Sequence, residues 1–285
     1  MLFFVFLYLP WQGVFSFVYY KVACSLQIMA KVTLLCHWFI MPGGGFLRIL
    51  ESVDSTNNYA MDKVHAGLAN HGMAWFARAQ TGGKGQRGKA WKTEEGKNIA
   101  MSLVLQPERF NTNKQFRLSA AVALACFEFF SVHAGSETKI KWPNDIYWRD
   151  RKAGGILIEN IFHGKTWKWA VVGTGININQ TVFDTSLVNP VSLKQITEKE
   201  WDVITMANEL YEVLMKYISL LNAGAAGDIL ESYNNNLYKK DEPVFLVEKG
   251  KKIQTTIKAV SEEGKLLTSD AIERKFDFGE VEWLL

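Results

Sequence analysis

Strand-like and helix-like runs follow one another along this chain without a regular alternation, and that order limits its fold more than any other feature. Phe46 to Val53 reads as a strand, and Asp54-Ser55-Thr56-Asn57 then supplies N-cap chemistry for a helix carrying Tyr59, Met61 and Val64 and ending near Gly67. Met73–Ala79 and Ile99–Leu105 are strand-like runs on either side of a Gly-rich stretch. Phe116 to Val132 is predicted as an apolar helix stopped around Gly135, followed by short strands at Thr138–Trp142, Gly155–Glu159 and Trp167–Val172. Thr197-Glu198-Lys199-Glu200 has the form of a capping box opening a long helix toward Leu221, and a shorter helix covers Asp228 to Leu237. Hairpins and helices, rather than a βαβ repeat, give an α+β class with a mixed sheet packed against helices.

The pattern changes after Lys239-Lys240-Asp241. Val244–Val247, Lys252–Val260, Lys265–Thr268, Glu273–Phe276 and Val281–Leu284 are all β-like, and turn residues such as Lys249-Gly250 and Glu263-Gly264 separate them. A unit of about 45 residues is at the low end for independent folding, so residues 239–285 are expected to dock on a main domain of residues 45–238. Residues 1–44 stand apart, because Leu2 to Tyr20 is almost wholly apolar and Pro42-Gly43-Gly44-Gly45 is a breaker cluster. Three readings of them stay open: a dispensable leader with a true start at Met29 or Met41, a membrane anchor, or a folded element. No Lys or Arg precedes Lys21, so the basic start of a signal peptide is missing. The cations Lys21, Lys31 and Arg48 follow the apolar run, and all three readings leave the remainder cytoplasmic.

Composition narrows the function classes. A chain of 285 residues with 48% hydrophobic content can bury an ample core. A net charge of +3 is too weak for a nucleic-acid footprint. The cysteines Cys24, Cys36 and Cys126 are odd in number and form no C-x-x-C pair, which argues against a disulfide framework or zinc site and for a reducing compartment. His37, His65, His71, His133 and His163 show no ligand spacing.

The stretch GGKGQRGKAW, residues 82–91, fits both a dinucleotide fingerprint and most of a P-loop. Both fail on context. Ala90 stands where a P-loop needs Ser or Thr, no helical stripe follows, and the run Met101–Leu105 occupies the place of the ribose-binding acid. A cationic Gly-rich loop remains. Four more stretches place polar groups at strand ends: Ser55-Thr56-Asn57, Gln80, Lys141-Trp142-Pro143-Asn144-Asp145 with Lys152-Ala153-Gly154-Gly155, and Gly173-Thr174-Gly175-Ile176-Asn177. Each alone has a plain reading as a cap, an ordinary turn or a tight glycine turn. Together they mark loops that a rigid scaffold presents for binding.

As a set, S-T-N after the first strand, the Q-x-x-G-K-G-x-x-G-K-x-W loop, K-W-P-N-D, the Lys seven positions later before A-G-G-I-L, and G-x-G-I-N resemble biotin–protein ligase. The likeness runs from about Phe46 to the C-terminus. It implies a class II synthetase-like catalytic domain with a small C-terminal SH3-like β-barrel. It also implies ATP-dependent ligation of biotin, through biotinyl-5′-AMP, to a lysine of a biotin carboxyl carrier protein of a biotin-dependent carboxylase. Magnesium is expected with the triphosphate and no dedicated protein cage. Residues 1–45 lack the pattern of a DNA-binding winged helix, so a monofunctional member is expected, with no nucleic-acid or membrane partner and with a homodimer left open.

By the same resemblance Lys152, Arg87 and Asp145 are catalytic. Ser55, Thr56, Asn57, Gln80, Lys84, Gly85, Gln86, Lys152 and Gly155 would hold biotin. Lys84, Gln86, Arg87, Trp91, Lys141, Asn144 and Asn177 would hold the nucleotide, with Trp91 stacked on adenine unless it is a core aromatic. Asp145 would orient Lys141 or the incoming lysine, and Gly154 would give the segment after Lys152 backbone freedom. Family members often carry more Arg in the loop, where Lys84 and Gln86 stand here. Lipoate–protein ligase of the same fold and a non-catalytic biotin-binding regulator are the alternatives.

Overall fold

The computed structural model describes residues 47–107 and 115–284. The expectations for residues 1–44 lie outside them. Seven strands form one sheet: β1 (Leu47–Val53), β2 (Ala74–Gln80), β3 (Asn98–Leu105), β4 (Thr138–Lys141), β5 (Asp145–Trp148), β6 (Arg151–His163) and β7 (Thr166–Asn177). Their order is β1-β2-β3-β7-β6-β5-β4. Only β1 and β2 among these neighbours run parallel, joined through helix α1 (Thr56–His65); the other pairs are antiparallel.

All eight residues of β3 are buried, because both faces of the sheet are covered. Ile99, Met101, Leu103 and Leu105 alternate toward the large core under α2 (Gln115–Ala134) and α4 (Val203–Asn222), where Leu118, Phe129 and Phe130 have no exposure. Truncating Phe129 to Ala there would cost about 3–5 kcal/mol. On the opposite face Val104 joins Trp75 and Val171 in a second cluster beneath Ala60 and Val64 of α1. That second face carries the site. Helix α2 is long and apolar enough to cross a bilayer, yet 56% of its apolar window is buried inside the protein, as befits a core helix.

The capping box sits elsewhere than the sequence suggests. Ser192 and Gln195 form it, opening the short α3 (Leu193–Thr197), while α4 starts after Asp202, whose carboxylate accepts from the Thr205 N–H. Thr197 therefore ends a helix rather than starting one, with Glu198 left-handed at its C-cap. A last helix, α5, spans Ala226–Asn235.

The C-terminal strands β8 (Pro243–Glu248), β9 (Lys251–Val260), β10 (Leu266–Ser269), β11 (Glu273–Phe276) and β12 (Val281–Leu284) form a second antiparallel sheet, in the order β11-β10-β9-β8-β12. The edge strands β11 and β12 do not pair, so no barrel closes. This sheet packs on the helices: Gly264 lies against the Phe116 ring, the Trp142 indole N–H donates to the Gly264 carbonyl, and Asn234 brackets the Val260 backbone.

Candidate active site

Register builds the floor of the site. Lys141, Asp145, Gly155, Gly175 and Ala100 face one another in a row across β4, β5, β6, β7 and β3. Directly opposed residues share a sheet face, so the centre of this row is bare backbone. In the next row on that face, Gly173 leaves a gap between Leu157 and Ser102. Sequence reading places Gly173 and Gly175 in a turn after β7 and credits Gly154 with flexibility. All three instead lie inside strands, and their role is space. A Cβ at Gly173 would overlap the Asn57 amide, one at Gly175 would strike the Trp91 indole, and one at Gly154 would come within 2.6 Å of Ile176.

Against this floor stands a hydrogen-bonded wall. Ser55 occupies the N-cap of α1 without a capping side-chain bond, so the plain reading of it as a cap fails. The Gln80 side-chain oxygen, from the end of β2, instead accepts from the Thr56 N–H at 2.8 Å. The Ser102 hydroxyl lies 2.8 Å from Thr56 Oγ1 and 2.6 Å from Asn57 Oδ1. The Asn57 amide donates to Glu159 Oε2 at 2.7 Å, and Glu159 Oε1 faces Lys84 Nζ at 3.8 Å. Ser102 and Glu159 carry no motif. They sit inside strands, and only the pairing of β3, β7 and β6 brings them to the wall.

Lys152 reaches the same face through an irregularity. Ile146 pairs with Gly154 but Tyr147 pairs with Lys152, so Ala153 is an extra residue in β6. Such a bulge re-aims the side chains on one side of it. Without it Lys152 would point with Gly154 into the core; with it, the amine lies beside Gly155 and 2.6 Å from Asp145 Oδ1. Asp145 therefore contacts Lys152 directly, and its charge also acts on Lys141. The Asn144 amide donates to the Ile156 carbonyl, and the Asn177 amide donates to the Lys152 and Val191 carbonyls. Both thus brace the backbone that carries Lys152. Lys141 is 9% exposed, with its amine 3.1 Å from the Tyr147 hydroxyl and over the Trp283 ring. Burial pulls its pKa down to about 8, with the charges of Lys152 and Lys89 acting in the same direction and Asp145 against them.

The Gly-rich stretch forms a narrow hairpin-like flap. Gly85 N–H donates to the Lys89 carbonyl and Trp91 N–H to the Gly83 carbonyl, with a 3₁₀ turn over Gln86–Gly88 at the tip. Arg87 is left-handed there, at φ 55° and ψ 38°. Beneath the flap is a cavity of about 600 Å³ between Lys84, Arg87 and the sheet residues Leu157 and Glu159. The Trp91 ring packs on Gly175, and its indole N–H is buried there without a hydrogen-bond partner. A polar wall, a bare floor, an ammonium fixed by a carboxylate and a cationic flap together suit a small neutral ring system joined to an anion.

Comparison with known proteins decides the family. The chain is 30% identical over 245 residues to the bifunctional ligase/repressor BirA of Escherichia coli K12, covering 84% of this chain and 74% of that protein. The chain belongs to the biotin/lipoate A/B protein ligase family, and within it to the biotin–protein ligases. Residues 49–177 match the family pattern, a span that holds every residue of the floor, wall and flap. Biotin–[acetyl-CoA-carboxylase] ligase of Paracoccus denitrificans is 37% identical over 133 residues, 46% of this ligase and 53% of its own length. The fold matches a biotin protein ligase from Aquifex aeolicus solved in complex with biotin and ATP, with a TM-score of 0.70, 24% identity and coverage of 83% of this chain and 97% of that one.

Proposed function

We propose that this ligase activates biotin as biotinyl-5′-AMP at the floor described above and passes the biotinyl group to a lysine of a biotin carboxyl carrier protein. The observation that carries the reading is the Lys152 ammonium, fixed by Asp145 beside the bare backbone of Gly155. In the first step the biotin carboxylate attacks the α-phosphorus of ATP and the bond to pyrophosphate breaks. Two anions must meet, and Lys152 supplies positive charge between them without reorganising, because Asp145 already holds it. In the second step the carrier's amine attacks the acyl carbon and AMP leaves.

Thr56, Asn57, Gln80 and Ser102 offer the paired donors and acceptors that a ureido ring needs, with Ser55 at the entrance of the helix. Lys84, Gly85, Gln86 and Arg87 would close over the mixed anhydride and exclude water. Trp91 would meet adenine. Lys141, Asn144 and Asn177, assigned to the nucleotide by resemblance, act here through the backbone and the charge around Lys152. Magnesium would enter with the triphosphate and offset its charge.

The test is pyrophosphate release by the full chain with ATP and either biotin or lipoate, followed by transfer to a carrier domain. Biotin-dependent release and labelling of the carrier lysine support the reading. Release with lipoate alone would move the protein to the other branch of the family.

A further inference from the structure

The flap is not held by the catalytic sheet alone. The Arg87 guanidinium sits over the Phe278 ring at 5.1 Å, and Phe278 belongs to the turn between β11 and β12 of the C-terminal sheet. The next residue, Gly279, has φ 91°, and a Cβ there would overlap the Arg87 guanidinium. Phe278 also meets Trp142 edge-on at 6.3 Å, so one ring touches both the flap and the segment leading to Asp145. Core burial does not explain the position of this ring, which is 49% exposed. Nor does local preference explain Arg87, since the left-handed conformation costs a non-glycine residue about 1–2 kcal/mol.

We propose that Phe278 is a positioning residue of the C-terminal sheet, whose ring seats Arg87 in the room left by Gly279 and so holds the Gly-rich flap over the site. The seat explains why a cation stands at a strained position of a mobile loop. Phe278 lies outside the segment matched to the family. The functional consequence rests on the reading that the flap covers biotinyl-adenylate, so the test separates the two.

Trypsin cleaves after Arg, and the Arg87–Gly88 bond reports the flap without reference to activity. In the full chain, Phe278→Ala should speed cleavage there while the thermal midpoint stays near wild type, and Phe278→Tyr should restore protection. Release of preformed biotinyl-adenylate should rise about two- to fivefold in Phe278→Ala, the factor an exposed cation–π contact provides. In an Arg87→Gly background Phe278→Ala should add nothing to that release, whereas a merely structural role would add its full effect. Unchanged cleavage in Phe278→Ala would overturn the seat. Faster cleavage with unchanged release would keep the seat and overturn instead the covering role of the flap.

Discussion

The wall and the flap of this site are ordered by opposite means. Thr56, Asn57, Gln80, Ser102 and Glu159 are joined by side-chain hydrogen bonds, and Thr56, Asn57 and Ser102 are at most 4% exposed. Lys84, Arg87 and Lys89 are exposed, and the flap's internal order comes from backbone bonds. Buried, satisfied networks are rigid and costly to disturb, whereas exposed loops open at little cost. On the proposed function, a ligand recognised by the first and enclosed by the second would be selected before it is covered. Substitutions on the two sides should therefore separate cleanly in what they change.

The largest separation is expected at Lys152. Lys152→Gln keeps much of the length and removes the charge, so adenylate formation should fall about 10²–10³-fold, as loss of one preorganised electrostatic donor typically does. Pyrophosphate release measures this, with the thermal midpoint near wild type. Transfer from supplied biotinyl-adenylate should suffer less, because the first barrier is already crossed. Wild-type pyrophosphate release would remove Lys152 from the chemistry.

Next comes Gly173→Ala, which drives a methyl into the Asn57 amide. Overpacking a rigid site should cost about 1–3 kcal/mol in denaturant unfolding and weaken biotin binding in calorimetry. A neutral outcome on both would show that the wall yields, and the contrast with the flap would go.

Lys141 sharpens the comparison by pH. Its folded pKa, about 8, lies below the ordinary 10.5 because of burial. Below pH 8 both folded and unfolded states carry the proton and the full cost of burying the charge is present. Between pH 8 and 10.5 the folded state loses the proton first, so stability rises with pH. Relative to Lys141→Met, the wild type should gain at most about 1.4 kcal/mol per pH unit in that window. Parallel stability profiles would mean that the amine is not desolvated.

The smallest effect on stability belongs to the flap. Arg87→Gly or Gln86→Gly should shift unfolding by no more than about 0.5 kcal/mol, as surface changes do, while releasing biotinyl-adenylate faster and labelling bystander lysines. A substantial loss of stability from either would make the flap part of the core.

Much of this was legible from residues alone. The limits of β11 and β12, Glu273–Phe276 and Val281–Leu284, follow from their turn residues, and α2 follows from its apolar run. The motif residues came to one face through the family pattern they share. What the chain conceals is pairing. Ser102 and Glu159 are unremarkable until the register of β3, β7 and β6 sets them beside Asn57. Lys152 looks like a loop residue because nothing local marks Ala153 as an extra one in its strand. Glycines read as turns for the same reason: Gly173 and Gly175 are small to admit Asn57 and Trp91, which are distant in sequence. The capping box was misplaced because Thr197-x-x-Glu200 and Ser192-x-x-Gln195 have equivalent patterns, and only the second precedes a run that turns helical.

The parallel pair β1–β2 with α1 between them has a consequence for how the protein reaches its native state. Thr56 and Gln80, 24 residues apart, meet within this one local unit, so that part of the wall closes a short loop at small entropic cost. Asn57 meets Glu159 across 102 residues, through the pairing of the antiparallel strands. The two ends of the wall thus differ fourfold in contact range, 24 residues against 102. Ligand protection is expected only once β6 has joined the sheet, and pulsed hydrogen exchange on the Asn57 and Glu159 backbone amides would check that order.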